Sequence, residues 1–523
     1  MTLRTTLAVP STTTVDGPGA TARRGPWRHL PFAVLLLAGV ALRVCALLAY
    51  RPALLYVDSF RYLANVDADR IHGTDPLGYS LFLAGLLHVH DLAVVPITQH
   101  LLGLAMAGAI YALLLRRGVR AWLAALATAP VLLDTYVLQI EQLVMSDTLF
   151  IALLLVTMIA LSWRRRPPVA AIIAAGLALG AAVTVRTVGQ PLIVPALGFA
   201  FFAGRPGVRR RLARAGALLA AFAVPIACYG VWTTTQYGDV GMGSSHGRVL
   251  YARAATFADC RGLDVPEYER PLCPTKPVEQ RYGVDKFMWN MDSPAHLYQP
   301  PPGRNKDIVM GDFAVRVFRH QPLDLARAVL ADFGRGFVPA KIDMRNQVPV
   351  KRWQFQPHYP RTGVSDGTPA DVVRRFGGHP VAVDPGLATF LRGYQLGGGY
   401  LSGTAVAAFL LLGLVAAAGA GRARRSGLRG ACLVFAGGTT ALLLVASLYE
   451  FSWRYELPAV VLAPVGGALA LTALFGRRTG GPRTVHRPAG VTAGPAGRED
   501  DPSETSAADD PPGPGADTEG GRP

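Results

Sequence analysis

The chain has 523 residues, 51% of them hydrophobic, and a formal net charge of +17. A mean hydropathy of +0.29 and long apolar runs exclude an ordinary soluble protein and indicate a polytopic membrane protein. The charge does not indicate nucleic acid, because the arginines form small clusters between apolar runs and not one continuous basic face.

Apolar runs near 29–50, 94–115, 120–137, 147–163, 168–186, 190–204, 214–236, 394–419, 428–449 and 455–475 predict an all-α fold of about ten transmembrane helices. If the N-terminus with Arg4, Arg23, Arg24 and Arg28 is cytoplasmic, so is every later arginine cluster. These are Arg116, Arg117 and Arg120; Arg164 to Arg166; Arg205, Arg209 to Arg211 and Arg214; Arg422, Arg424, Arg425 and Arg429; and Arg477 and Arg478. The extracytoplasmic loops are then 51–93, 134–146, 237–393 and 450–454. The expected organisation is a disordered cytoplasmic N-terminus (1–28) and a membrane domain (29–236) whose first outer loop carries the site. An extracytoplasmic loop domain of mixed or irregular structure (237–393), C-terminal transmembrane helices (394–476) and a disordered cytoplasmic tail (477–523) follow. The first apolar run is too long for a cleaved signal. The bias towards Arg, Ala and Gly points to a bacterial plasma membrane.

Arg43 lies inside the first run, about two turns below the outer surface, where a guanidinium needs a wet cavity or a partner. In LLYVDSFRYLANVDADR, Asp58 is expected to cap a short helix starting at Ser59. As a carboxylate under aromatic side chains it could equally be a general base. The DAD at 67–69 cannot put both acids on one helix face and reads as a solvated helix end. Asp75-Pro76 signals a second helix, apolar over 77–87 and carrying Tyr79, which is too short to span and lies at the interface. Glu141 and Asp147 flank a short turn. Asp147 can cap the next span, or the pair can join Asp58 around a carboxylate-lined cavity. Arg186 ends the fifth span and Arg454 starts the last. Both can snorkel to the interface, or use the guanidinium fork on a phosphate.

Within 237–393, residues 318–337 form one amphipathic segment with Leu323, Ala326, Val329, Leu330 and Phe333 on a face. Cys260 and Cys273 share this oxidising side and predict a disulfide, whereas Cys45, Cys228 and Cys432 read as packing residues in spans. There is no zinc pattern, Walker motif, G-x-S-x-G or C-x-x-C, and GDVGMGSS (238–245) reads as loop glycines. No metal ligand is assigned.

Four stretches belong together. YVDSFRY places an outer acid after the first span. DPLGYSLFLAGLL is a proline-glycine-tyrosine run leading into apolar residues. MSDTLFIALLL opens a later span with an acid and is followed by GLALGAAVTVRTVGQPLIVP, an arginine before a proline. SWRYELPAVVLAP starts a late span with Arg454 and Tyr455. Over residues 30–240 and 450–475 the chain resembles the GT-C superfamily of membrane glycosyltransferases. The group in question uses polyprenyl-phosphate sugars (protein mannosyltransferase-like and lipid A aminoarabinose transferase-like enzymes).

The resemblance implies a GT-C-like fold. It also implies transfer of a hexose or pentose, with inversion, from a polyprenyl-phosphate carrier in the bilayer to an extracytoplasmic glycan, lipid or protein. It makes Asp58 the catalytic base. Arg43, Arg186 and Arg454 would hold the phosphate, Glu141 and Asp147 would order the sugar or acceptor, and Tyr79 would line the lipid tail or sugar. Tyr455 joins the substrate-binding set beside Arg454. A leaving phosphate monoester has a second pKa of roughly 6, so one carboxylate suffices where a glycosidase needs two. The family's paired acid is here Asp58-Ser59, which leaves a divalent metal open and no cofactor assigned. Two other readings compete. A lipid or glycan transporter would put charges near the bilayer midplane and broken helices in related halves. A scaffold in envelope assembly would tolerate loss of Asp58.

Overall fold

The computed structural model describes residues 25–68, 75–202, 207–238, 242, 246–360 and 367–476. The tails expected to be disordered lie outside the described residues at 1–24 and 477–523, as do Asp69, residues 70–74 and most of GDVGMGSS. The fold is helical and polytopic. Five helices are long and apolar enough to cross a membrane: Trp27–Ala49, Val94–Arg116, Val208–Tyr237, Arg429–Tyr449 and Leu457–Phe475. A bent pair makes a sixth, and the apolar helices Asp147–Ser162, Val169–Val185, Thr187–Phe202 and Gly403–Ala418 are shorter.

Two expected spans are broken, each for a local reason. The run 120–137 divides into Ala121–Leu133 and Thr135–Gln142, bent by 48°. Asp134 has extended backbone and its carboxylate accepts from the Tyr136 and Val137 N–H groups, so it caps the second helix where the first ends. The run 394–419 divides at its glycines. Helix Pro385–Leu396 ends at Gly397, and Gly403–Ala418 starts anew with Ser402 accepting from the Ala405 N–H. The last helix, Leu457–Phe475, is apolar all round and almost wholly buried, which places it at the centre of the bundle.

The ends of the first helices set up the site. Helix α1 is Leu30–Ala49 and α2 is Val57–Ala64. Between them Tyr50–Arg51 pairs antiparallel with Ala382–Val383, joining the first loop to the long segment. Leu54 bridges Leu143, with Leu54 N–H donating to Gln142 O (3.1 Å) and Val144 N–H to Leu54 O (3.0 Å). Helix α3, Gly78–Leu87, packs so closely on Val169–Val185 that a Cβ at Gly78 would collide with the Thr184 carbonyl.

The long segment is more helical than expected. Tyr251, Met310, Phe313, Ala314 and Val317 form its own core between helices His246–Ala255 and Lys306–His320. A disulfide joins Cys260 to Cys273 beside it. The amphipathic stretch 318–337 is not one helix. It breaks at Gln321, and in Pro322–Arg335 both Leu323 and Leu330 are exposed while Phe333 is half-buried.

Candidate active site

Four chain segments meet at one end of the bundle, and polar stitches hold them in register. Asp58 does not cap α2. The N-cap is Tyr56, whose N–H donates to Ser59 Oγ (2.9 Å), leaving Asp58 in the first turn where the helix dipole favours a carboxylate. Ser59 Oγ in turn donates to Val144 O (2.8 Å), and Tyr62 OH meets Ser146 Oγ (3.0 Å). The loop 143–146 is thus clamped to α2. It delivers Asp147 as the first residue of Asp147–Ser162, with Ser146 and not Asp147 at the N-cap.

Arg454 is the hub. Its Nη1 donates to Asp58 Oδ2 (2.6 Å) and its Nε to Asp147 Oδ2 (2.9 Å). Arg186 Nη1 donates to the other Asp147 oxygen (2.8 Å), and Arg61 pairs with Asp58. Arg61 also lies 3.6 Å from Asp75. The Tyr455 ring faces both cations, 5.5 Å from Arg186 and 5.9 Å from Arg454. Burial alone would raise the Asp58 pKa, but the Arg454 and Arg61 guanidiniums outweigh it and hold the carboxyl below its ordinary range. Asp75 goes the other way: burial, then the Asp58 charge, raise it.

The long segment closes over this cluster. The Trp353 ring packs tilted against Tyr56 (5.0 Å) and under Arg454 (5.6 Å), Arg352 donates to Tyr56 OH (3.1 Å), and Arg61 lies over Trp289 (5.3 Å). Asp285 sits 3.8 Å from Arg352, and burial raises its pKa. Glu450 accepts from Tyr455 OH (3.3 Å); burial, then the Asp285 charge, push it up to about 8.

The structure therefore brings together Asp58, Asp147, Arg186, Arg454 and Tyr455, but not Arg43, Glu141 or Tyr79. Arg43 and Glu141 are 2% and 0% exposed and satisfy each other inside the bundle (2.8 Å). Arg43 also donates to the Val131 and Leu132 carbonyls, and His100 takes the second Glu141 oxygen (2.9 Å). A Cβ at Gly103 would collide with this ion pair. Tyr79 OH donates to Gln99 Oε1 (2.8 Å), whose amide holds Glu141 O and Leu143 O. These three residues shape the loop before Asp147 from behind and do not face the cluster. Arg61, Glu450, Arg352 and Trp289 escaped the sequence reading. Arg61 alone had a signal, its i,i+3 spacing from Asp58. Among the described residues, no group of three or more His, Cys, Asp or Glu side chains is placed to hold a metal ion.

The fold and site define a multi-pass membrane protein with an arginine–carboxylate cluster at the ends of its helices. The family model for dolichyl-phosphate-mannose-protein mannosyltransferase matches residues 93–204, the stretch that contains Asp147 and Arg186. The resemblance to GT-C glycosyltransferases thus rests on a family match as well as on short motifs. Two solved structures are similar. The S. cerevisiae protein O-mannosyltransferase Pmt1–Pmt2 complex bound to the sugar donor matches at 16% identity and a TM-score of 0.34, over 49% of this chain and 38% of that one. ArnT from Cupriavidus metallidurans bound to undecaprenyl phosphate matches at 15% identity and a TM-score of 0.31, over 84% of this chain and 77% of that one. No curated protein matches the chain.

Proposed function

We propose that the protein is a GT-C-type glycosyltransferase that moves a sugar from a polyprenyl-phosphate carrier to an extracytoplasmic acceptor, with inversion. The observation that carries this reading is the shared grip of Arg454 on Asp58 and Asp147, with Arg186 and Arg61 beside it. Guanidiniums from three segments gather around a single potential base, two of them in direct contact with it, the arrangement an anionic leaving group and a hydroxyl acceptor require.

Asp58 as it stands is a weak base, since its charge is stabilised by two arginines. A donor phosphate competes for those same guanidiniums. As they turn to the phosphate, Asp58 loses its stabilising partners and its proton affinity rises. Asp58 then takes the acceptor hydroxyl proton while the acceptor oxygen attacks the anomeric carbon. The bond from that carbon to the phosphate oxygen breaks, and its electron pair leaves with polyprenyl phosphate. Arg454 and Arg186, held by Asp147, stabilise the charge that grows there. Asp147 orders the arginines and does not take the proton.

The test is release of polyprenyl phosphate by purified protein given a panel of polyprenyl-phosphate sugars and an envelope acceptor fraction. Turnover with one donor, cut about 10²–10⁴-fold by Asp58→Asn, is expected. Equal turnover in both proteins would remove Asp58 as the base, and no turnover by folded wild type with any donor would overturn the reading.

A further inference from the structure

Helix Pro322–Arg335, in the long segment, is inside out by the standard of a soluble domain. Its one buried residue is an aspartate, Asp332, while Leu323 and Leu330 are 70% and 59% exposed. Ala326 and Gly334 are exposed as well, at helical spacing from the leucines, and complete one apolar stripe. Arg327 stands on the flank of that stripe and pairs with Asp324 (3.0 Å). A surface helix in water turns its apolar side to the core. Helix Lys306–His320, immediately before it, does so: Val309, Met310, Phe313 and Val317 are buried, and Asp312, Arg316 and Arg319 point outward. The inversion begins at Gln321, where the two helices part.

The height of the helix identifies what covers the stripe. Asp332, Phe333 and Gly336 line one narrow gap with Leu443 and Ala446 of the span Arg429–Tyr449. Leu443 lies about 9 Å before the end of that span. Just past the helix, the Gly336 and Val338 carbonyls press on Gly403, the first residue of the apolar helix Gly403–Ala418, so closely that a Cβ there would collide. Polar bonds fix the inward face. Asp332 pairs with Arg253 (2.5 Å) and Arg335, and Arg253 donates to the Ser447, Leu448 and Tyr449 carbonyls at the end of the span. The opposite face, with Leu323 and Leu330, therefore turns away from the bundle at the depth of a span's last turns. The medium at that depth is the boundary between headgroups and acyl chains.

We propose that Pro322–Arg335 is an in-plane membrane helix whose Leu323–Ala326–Leu330 stripe is immersed in the phospholipid leaflet on the side of the Arg454 cluster. At about 1.5 Å per residue the helix is about 21 Å long, too short to cross a hydrocarbon core of roughly 30 Å. The flanking Arg327 can extend its guanidinium to the headgroup phosphates while its stem stays on the apolar surface. The stripe continues the lipid-facing surface of the spans onto the long segment. Through Asp332 and Arg253 that contact reaches the helix end immediately before Glu450, so the segment that closes over the cluster has its own hold on the bilayer.

The experiment uses the full chain in phospholipid nanodiscs, with Cys45, Cys228 and Cys432 replaced by alanine and the Cys260–Cys273 bridge kept. A nitroxide spin label is placed in turn at Leu323→Cys, Leu330→Cys and Arg327→Cys. Its relaxation is read with oxygen, which concentrates in hydrocarbon, and with a neutral nickel chelate, which stays in water. Oxygen access should exceed nickel access severalfold at both leucine positions, with a smaller ratio at Arg327 on the flank. The leucine sites are labelled separately, so failure of one variant to fold leaves the other to decide. Nickel access above oxygen access at the leucines would put the stripe in water and overturn the proposal. Shielding from both agents would mean that protein covers the stripe, a second copy or another partner, and would overturn it equally. No turnover is measured, so either failure leaves the glycosyltransferase reading standing.

Discussion

Replacing Arg454 by lysine isolates the geometry of the hub from its charge. Arg454 is 5% exposed and uses two different nitrogens on two different carboxylates, at 2.6 and 2.9 Å. Lysine keeps the charge but offers a single point donor and cannot reproduce a fork between Asp58 and Asp147. One charge-assisted hydrogen bond is lost, worth about 1.5–3 kcal/mol, or about ten- to 150-fold in an equilibrium or rate. The fold should survive, because Asp58 retains Arg61 and Asp147 retains Arg186, so no buried carboxylate is stranded. The loss should therefore appear in kcat/KM for the donor, measured as released polyprenyl phosphate, with the elution profile and thermal midpoint close to wild type. A kcat/KM within about threefold of wild type, well below the smallest effect of that lost bond, would show that Arg454 does not hold the reacting phosphate. A collapse of the thermal midpoint with unchanged specific activity of the folded fraction would make the hub purely structural.

Other outcomes follow from the same geometry. Asp58 has a depressed pKa in the free protein, so kcat/KM for the donor should hold level as pH falls to the ordinary aspartate value of 3.8. The acid limb of kcat should lie at higher pH, because bound phosphate draws the arginines away; coincident limbs would count against that exchange. By linkage, the stability Asp58 contributes is present above 3.8 and lost as pH falls through its folded value. Glu450 has the opposite sign: the folded state favours its proton, so its contribution is lost as pH rises from 4.5 through about 8. Glu450→Gln should flatten that alkaline decline in thermal stability, and an unchanged profile would assign the decline elsewhere. Arg43→Met should cost about 3–5 kcal/mol of stability by leaving the buried Glu141 with His100 as its one side-chain partner and leave the donor KM of the surviving folded protein unchanged; a selective rise in KM would return Arg43 to the substrate.

The sequence was most informative where one residue type carried one constraint. Apolar runs located the helices, and charges at their ends located Asp147, Arg186 and Arg454, because a charged group at a span terminus has few places to go. Depth reasoning correctly required a partner for Arg43 but chose a ligand over a protein group. The missing clue was Gln99-His100, two polar residues within the apolar run 94–115, which signal an internal network at that level. The breaks at Asp134 and Gly397 were legible only as weak local signals inside strong apolar runs. Arg352, Trp289 and Glu450 were beyond reach altogether. They come from two short helices, Val284–Trp289 and Val350–Trp353, and from the end of Gly438–Tyr449, and the placement of the short helices depends on long-range contacts, such as the two-residue pairing of 50–51 with 382–383.

The charge balance of the cluster yields the last prediction. At the hub itself, Arg61, Arg186 and Arg454 supply three positive charges against two from Asp58 and Asp147, the carboxylates they grip. Three less two leaves one net positive charge, matched to a donor phosphodiester with a single negative charge. Transfer turns that diester into a monoester, which carries about −1.5 to −2 at pH 7 because its second pKa is roughly 6. The same arginines must then bind the product more tightly than the donor, and the gain must grow with pH through that value. This favours bond cleavage, since the charge appears in the transition state, but it slows product release. Polyprenyl phosphate should therefore compete with the donor, with an inhibition constant below the donor KM that falls further as pH rises from about 5 to 7. Inhibition that is weak, or indifferent to pH over that range, would mean that the arginines do not hold the leaving phosphate.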